Sequence, residues 1–168
     1  DTQMQMRFFE KIVEKGTVPW LGGCKLAKRN AKLGSSLIDY LFDCSGNPIY
    51  VEVKSAVLRG NEHHAMYPDC PTARGRRHIG EITKHVSMGG RGAIVFIAAL
   101  PNVQAFKPNP QGDPEIPTLL SKAQAAGVLV EAINMHYDPR TSAIYLDDPD
   151  LKVELPASGK YETDWTPR

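Results

Sequence analysis

Apolar residues recur at helical spacing in two stretches of the chain, residues 4–15 and 72–88. The apolar face of the first stretch is formed by Phe8, Phe9, Ile12 and Val13. That of the second is formed by Ile79, Ile82 and Val86. Gly16 ends the first stretch, and Thr72 stands at the N-cap position of the second. Both are predicted to be amphipathic helices.

Runs of strand-forming residues between these helices predict three strands, over residues 24–33, 36–43 and 49–57. The last of them alternates cleanly between apolar and polar positions, as a half-buried strand does. Residues 43–48 have the Asp, Gly, Asn and Pro content of a hairpin loop. Residues 59–71 are polar and are predicted to form a loop.

Residues 91–100 are apolar on both faces, which is typical of a central parallel strand. The five prolines of residues 101–117 predict a long loop. The patterns that follow predict a helix from Pro117 to near Gly127, a strand over residues 128–133 and an edge strand over residues 143–146. This order of elements predicts an α/β fold with a mixed central sheet flanked by helices. We expect one domain over residues 1–155 and a mobile tail over residues 156–168.

Composition agrees with a globular domain, because 42% of the 168 residues are hydrophobic and 23% are charged. The longest apolar run, residues 93–100, is too short to span a membrane, and the first residues show no hydrophobic signal core. Three cysteines cannot all pair within one chain. We therefore expect reduced thiols in a cytoplasmic protein.

Charge is divided unevenly along the chain. Residues 1–112 carry 15 Lys and Arg against 9 Asp and Glu, a net charge of +6, whereas residues 113–168 carry 5 against 10. The basic residues concentrate at residues 25–32 and 74–91. This asymmetry indicates a polyanionic partner such as nucleic acid, and the alternative is ordinary solvated surface charge.

Candidate chemistry begins with Asp39, Glu52 and Lys54. Because side chains alternate along a strand, Glu52 and Lys54 face the same side, and a neighbouring strand can bring Asp39 beside Glu52. Two adjacent carboxylates repel each other, and a hard divalent cation such as Mg²⁺ or Mn²⁺ relieves that repulsion. A lysine beside them can orient an attacking water. The alternative is a structural charge cluster on a hairpin.

The second candidate is a polar stripe on the helix over residues 72–88. Arg74, His78 and Glu81 are spaced so that they share one face, and the apolar residues share another. Arg, His and Glu side chains suit a bound phosphate, and the alternative is a solvated helix face. Two other patterns, His63-His64 and the acidic residues 147–150, fit solvent-exposed loops better than metal sites.

A longer motif in the chain is specific enough to indicate a protein family. The residues Val51-Glu52-Val53-Lys54-Ser55, followed by Tyr67-Pro68-Asp69 and the run from Thr72 to Ile82, resemble the sugar fermentation stimulation protein A family. The resemblance extends from residue 2 to about residue 155. It implies a PD-(D/E)XK restriction-endonuclease-like core, a preceding OB-fold barrel that this chain does not contain, and DNA binding.

The resemblance also implies roles for individual residues. Asp39, Glu52 and Lys54 would be catalytic, and Asp39, Glu52 and the Val53 carbonyl would bind Mg²⁺ or Mn²⁺. Nucleic-acid or phosphate contacts would come from Arg74, Arg77, His78, Glu81 and Lys32. Glu81 would hold His78 or a metal-bound water. The chain departs from the family pattern at two positions: Asn30 replaces a glutamate, and Leu37 replaces an arginine.

These observations predict a DNA-binding protein with a Mg²⁺-dependent nuclease-type site that hydrolyses phosphodiester bonds. The alternative is a DNA-binding or regulatory module, related to sugar utilisation, whose nuclease fold is degenerate and not catalytic. No membrane partner is expected, and the sequence leaves a homo-oligomer open.

Overall fold

The computed structural model describes residues 1–60 and 63–157 of the chain. These residues form three helices, α1 (Thr2–Glu14), α2 (Ala73–Ser87) and α3 (Glu115–Ala125), with a short 3-10 helix at Pro19–Leu21. The first five strands are β1 (Cys24–Leu33), β2 (Ser36–Cys44), β3 (Asn47–Ser55), β4 (Leu58–Gly60) and β5 (His64–Tyr67). The other four are β6 (Gly92–Ala98), β7 (Ala105–Pro108), β8 (Leu129–Asp138) and β9 (Ala143–Val153).

The strands form one mixed sheet in the order β1-β2-β3-β6-β8-β9-β7-β5-β4. β1, β2 and β3 form an antiparallel meander, and β6 lies between β3 and β8 and is parallel to both. β9 is antiparallel to β8 and parallel to β7, so it joins the two halves of the sheet. The predicted α/β architecture and the central parallel strand are confirmed.

Apolar residues pack on both faces of this sheet, which explains why β6 is apolar throughout. Ala93, Val95 and Ile97 of β6 lie in the cluster that includes Phe9 and Ile12 of α1. The alternate residues of β6 lie in the cluster formed with α2 and α3. Each Å² of buried apolar surface contributes roughly 25 cal/mol to the free energy of folding, so these two clusters are the main contribution to stability.

The caps explain where the helices begin. Asp1 accepts hydrogen bonds from the backbone N–H of Gln3 (2.9 Å) and Met4 (3.4 Å) at the start of α1. The Thr72 hydroxyl accepts from the N–H of Gly75 (2.9 Å), so the predicted N-cap of α2 is confirmed. The third helix starts at Glu115, two residues earlier than predicted.

Two predicted loops are wrong. Residues 59–71 contain most of β4 and all of β5, and residues 101–117 contain β7. These strands are three or four residues long, and the sequence around them is polar or rich in proline, so periodicity could not reveal them. The strand predicted over residues 143–146 extends much further, to Val153.

The predicted reduced state of the cysteines is also wrong. Cys24 and Cys44 form a disulfide across the end of the β1–β2 hairpin, and Cys70 is free and exposed. The two residues are direct cross-strand partners, with their Cα atoms 4.1 Å apart. That separation is slightly shorter than the usual range for disulfides, which begins at about 4.4 Å.

Two predictions concern the chain's end and its relation to membranes. Of the predicted tail over residues 156–168, only Pro156 and Ala157 are described, and the Pro156 carbonyl accepts a hydrogen bond from Ser121 on α3 (2.9 Å). Residues 158–168 lie outside the described residues. Among the helices of the described part of the chain, none has the length and apolar character needed to cross a membrane.

Candidate nuclease-type site

Asp39 and Glu52 meet where the β2–β3 ladder ends. The last backbone pair on this side is Tyr40 with Val51. Beyond it, the Asp39 N–H donates to Glu52 Oε2 (3.1 Å), and the Val53 N–H donates to Asp39 Oδ2 (2.8 Å). Each carboxylate therefore accepts a hydrogen bond from the other residue's strand. The structure brings these two predicted site residues together at a fork between the strands.

Lys54 and His78 complete the network around Glu52. Lys54 Nζ donates to Glu52 Oε1 (2.9 Å), and His78 Nδ1 lies 2.7 Å from the same oxygen. His78 Nδ1 is also 3.2 Å from Lys54 Nζ. Glu52 and His78 are only 3% and 2% exposed, so α2 covers this face of β3 and holds the network in place.

The electrostatics of Asp39 fit a cation site. Burial, followed by the nearby Glu52 carboxylate, raises the pKa of Asp39 to about 6, although the Val53 N–H and the Lys54 ammonium act in the opposite direction. A positive charge placed between the two carboxylates would relieve that cost. The donor set is two carboxylates, the hard oxygen ligands that Mg²⁺ and Mn²⁺ prefer.

His78 orients Glu52. Burial lowers the pKa of His78, and Lys54 adds to this effect while Glu52 opposes it. A neutral imidazole that carries its proton on Nδ1 donates to Glu52 and fixes the direction of that carboxylate. The side chain of His78 is buried and its Nδ1 faces Glu52, and its contact with a bound phosphate stays a prediction.

The other predicted contact residues lie apart from this network. Arg74 and Arg77 on α2 and Lys32 on β1 are exposed. Glu81 does not reach His78 as predicted. Its carboxylate accepts from the N–H (3.3 Å) and hydroxyl (3.1 Å) of Ser35 in the β1–β2 turn. Gly34 permits this approach, because a Cβ there would collide with the Glu81 carboxylate.

The two departures from the family pattern lie on β1 and β2. The pairs Arg29–Tyr40 and Ala31–Ile38 place Asn30 opposite Asp39 in the register. Asn30 is exposed and has a φ of 53°, in the left-handed region that asparagine tolerates better than most residues. Leu37 is 56% exposed.

A polar cluster on the α1 side was not predicted. The Tyr40 hydroxyl donates to Glu10 Oε2 (2.8 Å), and Arg29 Nη2 donates to Glu10 Oε1 (2.5 Å). Both contacts lower the pKa of Glu10, the Arg29 hydrogen bond most of all. The sequence gives one indication of this cluster, the carboxylate of Glu10 beside the apolar face of α1. A single carboxylate at such a position is not enough to predict the cluster.

The described residues contain no group of three or more His, Cys, Asp or Glu side chains arranged to hold a metal ion. The fork therefore offers two carboxylates rather than a complete set of protein ligands. Mg²⁺ commonly binds through one or two carboxylates and takes its remaining ligands from water and substrate phosphates. The residues present fit such an ion.

Comparisons with known proteins agree with this architecture. The family model described as the sugar fermentation stimulation protein RE domain matches residues 3–141. Sugar fermentation stimulation protein homologs from Pyrococcus furiosus and Archaeoglobus fulgidus are 51% and 43% identical to this chain over 155 residues. Those 155 residues are 92% of this chain but 66% and 64% of the two relatives, so the chain spans just under two thirds of their length.

A solved structure, that of Pyrococcus furiosus SfsA in complex with Ca²⁺, matches with a TM-score of 0.88 at 49% sequence identity. The match covers 92% of this chain and 66% of that one. The chain therefore belongs to the sugar fermentation stimulation protein family and has the α/β fold of that family's RE domain.

Proposed function

We propose that this chain is a metal-dependent nuclease domain that hydrolyses phosphodiester bonds in DNA. The observation that carries the proposal is the network of Asp39, Glu52 and Lys54 at the β2–β3 fork. Two acids and a lysine joined by hydrogen bonds at the open end of a ladder are the groups that such hydrolysis needs. The domain over residues 1–155 is part of the same proposal.

The metal would be Mg²⁺ or Mn²⁺. Asp39 and Glu52 would hold it, with the Val53 carbonyl as a proposed third protein ligand. The relative from P. furiosus was solved in complex with Ca²⁺, another hard divalent cation that takes oxygen ligands. When bound, the cation would offset the negative charge that develops on the phosphate oxygens in the transition state.

The chain's own residues would divide the remaining work. Lys54, whose Nζ is 2.9 Å from Glu52 Oε1, would orient the attacking water. His78 would be a positioning residue, because it contacts Glu52 and is shielded from solvent. Arg74, Arg77 and Lys32 are exposed and would contact backbone phosphates of the nucleic acid.

Cleavage assays test the proposal. Single-stranded, duplex and branched DNA are incubated with Mg²⁺ or Mn²⁺ and either this chain or Glu52→Gln, whose amide keeps the shape of the carboxylate. We expect metal-dependent cleavage by the unmodified chain and a loss of about two to three decades in rate for the variant. No cleavage of any substrate with either metal would overturn the proposal.

The DNA contact is tested by binding at different salt concentrations. Binding should weaken steeply from 50 to 200 mM salt, because neutralised phosphates release their counterions. Arg74→Ala combined with Arg77→Ala should reduce the slope of log affinity against log salt by about 1–2. Arg140→Ala is the control, because that exposed arginine pairs with Asp138 on the β8–β9 hairpin. An unchanged slope in the double variant would make these arginines ordinary surface residues.

One observation favours a second function, a DNA-binding module without catalysis. Asn30 stands opposite Asp39, where the family pattern has a glutamate, so this position near the fork carries an amide rather than a carboxylate. Both functions predict salt-sensitive DNA binding. They differ in their requirement for a divalent metal ion, since a nuclease needs the ion for turnover and a binding module binds DNA without it.

A further inference from the structure

A cleft of about 540 Å³ opens on the α1 side of the sheet, beside Asp39. α1 forms one wall, and β1 and β2 form the other. Its volume is within the range of roughly 300–1,000 Å³ that is typical of small-molecule sites. Asp39 lines the cleft, and its carboxylate also belongs to the fork, so the cleft and the candidate metal site adjoin.

One basic side chain of the cleft can bind a phosphate. Glu10 is a lining residue, but its oxygens already accept from Arg29 (2.5 and 3.1 Å) and from the Tyr40 hydroxyl (2.8 Å). Its negative charge is therefore compensated within the protein. Arg7, one helical turn before Glu10, also lines the cleft and makes no ion pair within residues 1–60 and 63–157. Its guanidinium is free to bind a phosphate in bidentate fashion.

The uncharged lining groups suit a nucleobase. Gln3 and Asn30 carry side-chain amides, which pair with the donors and acceptors on base edges. Met6 also lines the cleft and offers a polarizable apolar surface to an aromatic ring. Gln3, Met6 and Arg7 share one face of α1 because they are three or four residues apart. One wall of the cleft thus presents a phosphate ligand, an apolar contact and an amide.

We propose that this cleft holds one unpaired nucleotide next to the phosphate that is cleaved, with Arg7 on its phosphate and Gln3 and Asn30 on its base. The inference rests on the proposed nuclease function and assigns its substrate class, nucleic acid that is single-stranded at the cleft. A base within a duplex is covered by its partner and by stacking, so only an unpaired base enters a cleft of this size.

Binding in the absence of divalent metal tests this cleft separately from catalysis. The probes are fluorescein-labelled eight-nucleotide single strands of dA, dT or dC and an eight-base-pair duplex, measured in EDTA by fluorescence anisotropy. We expect Arg7→Ala to weaken single-strand binding about 5- to 10-fold and duplex binding less than twofold. Lys11→Ala is the matched control. It removes one charge from an exposed position of the same helix that does not line the cleft.

The side-chain amides of Gln3 and Asn30 are tested by a separate comparison of the three single strands. Gln3→Ala combined with Asn30→Ala should leave binding of at least one single strand within twofold while changing the order of affinity among dA, dT and dC. A merely structural role would weaken all three strands equally. Because all of these positions are exposed, far-ultraviolet circular dichroism should show the same fold for every variant.

Two results would overturn the proposal that this cleft binds a nucleotide. One is that Arg7→Ala behaves like Lys11→Ala on every probe. The other is that the unmodified chain binds no single strand in EDTA. Neither result depends on cleavage, so a chain that cleaves DNA but shows either of them keeps the proposed function and loses this inference. A chain that shows the expected binding but cleaves nothing keeps the nucleotide-binding cleft and loses the nuclease function, together with the placement of the cleft beside a cleaved phosphate.

Discussion

At the scale of single residues, Glu52 connects the candidate site to the fold. One of its oxygens accepts from the backbone of Asp39, and the other contacts both Lys54 and His78. A buried carboxylate is stable only when its lone pairs are filled in this way. The residues that would carry out the chemistry are thus also those that hold β2, β3 and α2 together at the fork.

Lys54 offers a residue-scale test of mechanism. Lys54→Met should abolish metal-dependent cleavage, because it removes the group that we propose orients water, while metal binding measured by calorimetry stays within about threefold. Lys54→Arg should not restore cleavage, since a guanidinium is wider and stays protonated. Full activity in Lys54→Arg would show instead that Lys54 only balances charge.

Asp39 should make stability depend on pH. Its pKa is about 6 in the folded chain and about 4 when unfolded, so the folded state binds more protons between those values. The stability that this proton provides is fully present below about pH 4 and is lost as pH rises through 6. Relative to Asp39→Asn, the free energy of unfolding should fall by about 2 kcal/mol over this window.

Urea unfolding in EDTA from pH 3.5 to 7.5 measures this effect. Asp43→Asn is the control, because Asp43 is exposed near the end of the same strand. The prediction would be contradicted if the difference in free energy of unfolding between the unmodified chain and Asp39→Asn did not change with pH.

At the scale of secondary structure, the sequence predicts an element better when the element is long. The three strands of the meander and α2 are found within two residues of their predicted limits, because each shows several periods of its pattern. β4, β5 and β7 are too short to show a period. Asp39 and Glu52 could be paired from strand alternation, whereas the Glu10 cluster depends on how α1 packs on β2, which no local pattern contains.

The disulfide shows a second limit on what can be predicted from the sequence. Counting back from the β1–β2 turn, where Leu33 pairs with Ser36, an unbroken ladder would place Cys24 opposite Ser45. The ladder shifts by one residue between Leu26 and Lys28, and this bulge brings Cys24 opposite Cys44. A bulge leaves almost no trace in a sequence, so the pairing could not be predicted.

Asp113 tests how α2 and α3 are joined. Its buried carboxylate accepts from the N–H of Thr72 (2.9 Å) and of Glu115 (3.1 Å) and pairs with Arg76. Burial alone would raise the pKa of Asp113, but these three contacts together hold it below its ordinary value. Asp113→Ala should lower the free energy of unfolding by about 3 kcal/mol, because it leaves buried donors without an acceptor.

Urea unfolding at pH 7 measures the loss. Glu115→Gln is the control: this exposed carboxylate pairs with the same arginine (3.2 Å), and its removal should cost less than about 1 kcal/mol. Equal losses in the two variants would show that Asp113 contributes no more than a surface ion pair.

At the scale of the whole molecule, the disulfide closes a loop that contains β1, the turn and β2. Before reduction, one thiol should titrate in the denatured chain, and after reduction, three. Replacing Cys24 and Cys44 with serine should lower the free energy of unfolding by about 3 kcal/mol, since a loop of roughly 20 residues is no longer closed in the unfolded state. Cys70→Ser, at an exposed position, should change it little. Three titrating thiols in unreduced protein would show that the bond does not form.

The position of β9 in the sheet has a consequence for synthesis. β7 and β8 are made before β9, yet each pairs with it, and 47 residues separate Phe106 from its partner Val153. At roughly 5–20 residues per second, a ribosome needs about 2–10 s to make that segment. During this interval β8 can already pair with β6, and β7 with β5, but the edges of β7 and β8 that pair with β9 stay unpaired until β9 emerges. A pause in translation before β9 therefore leaves two unpaired strand edges, the surfaces at which nascent chains aggregate.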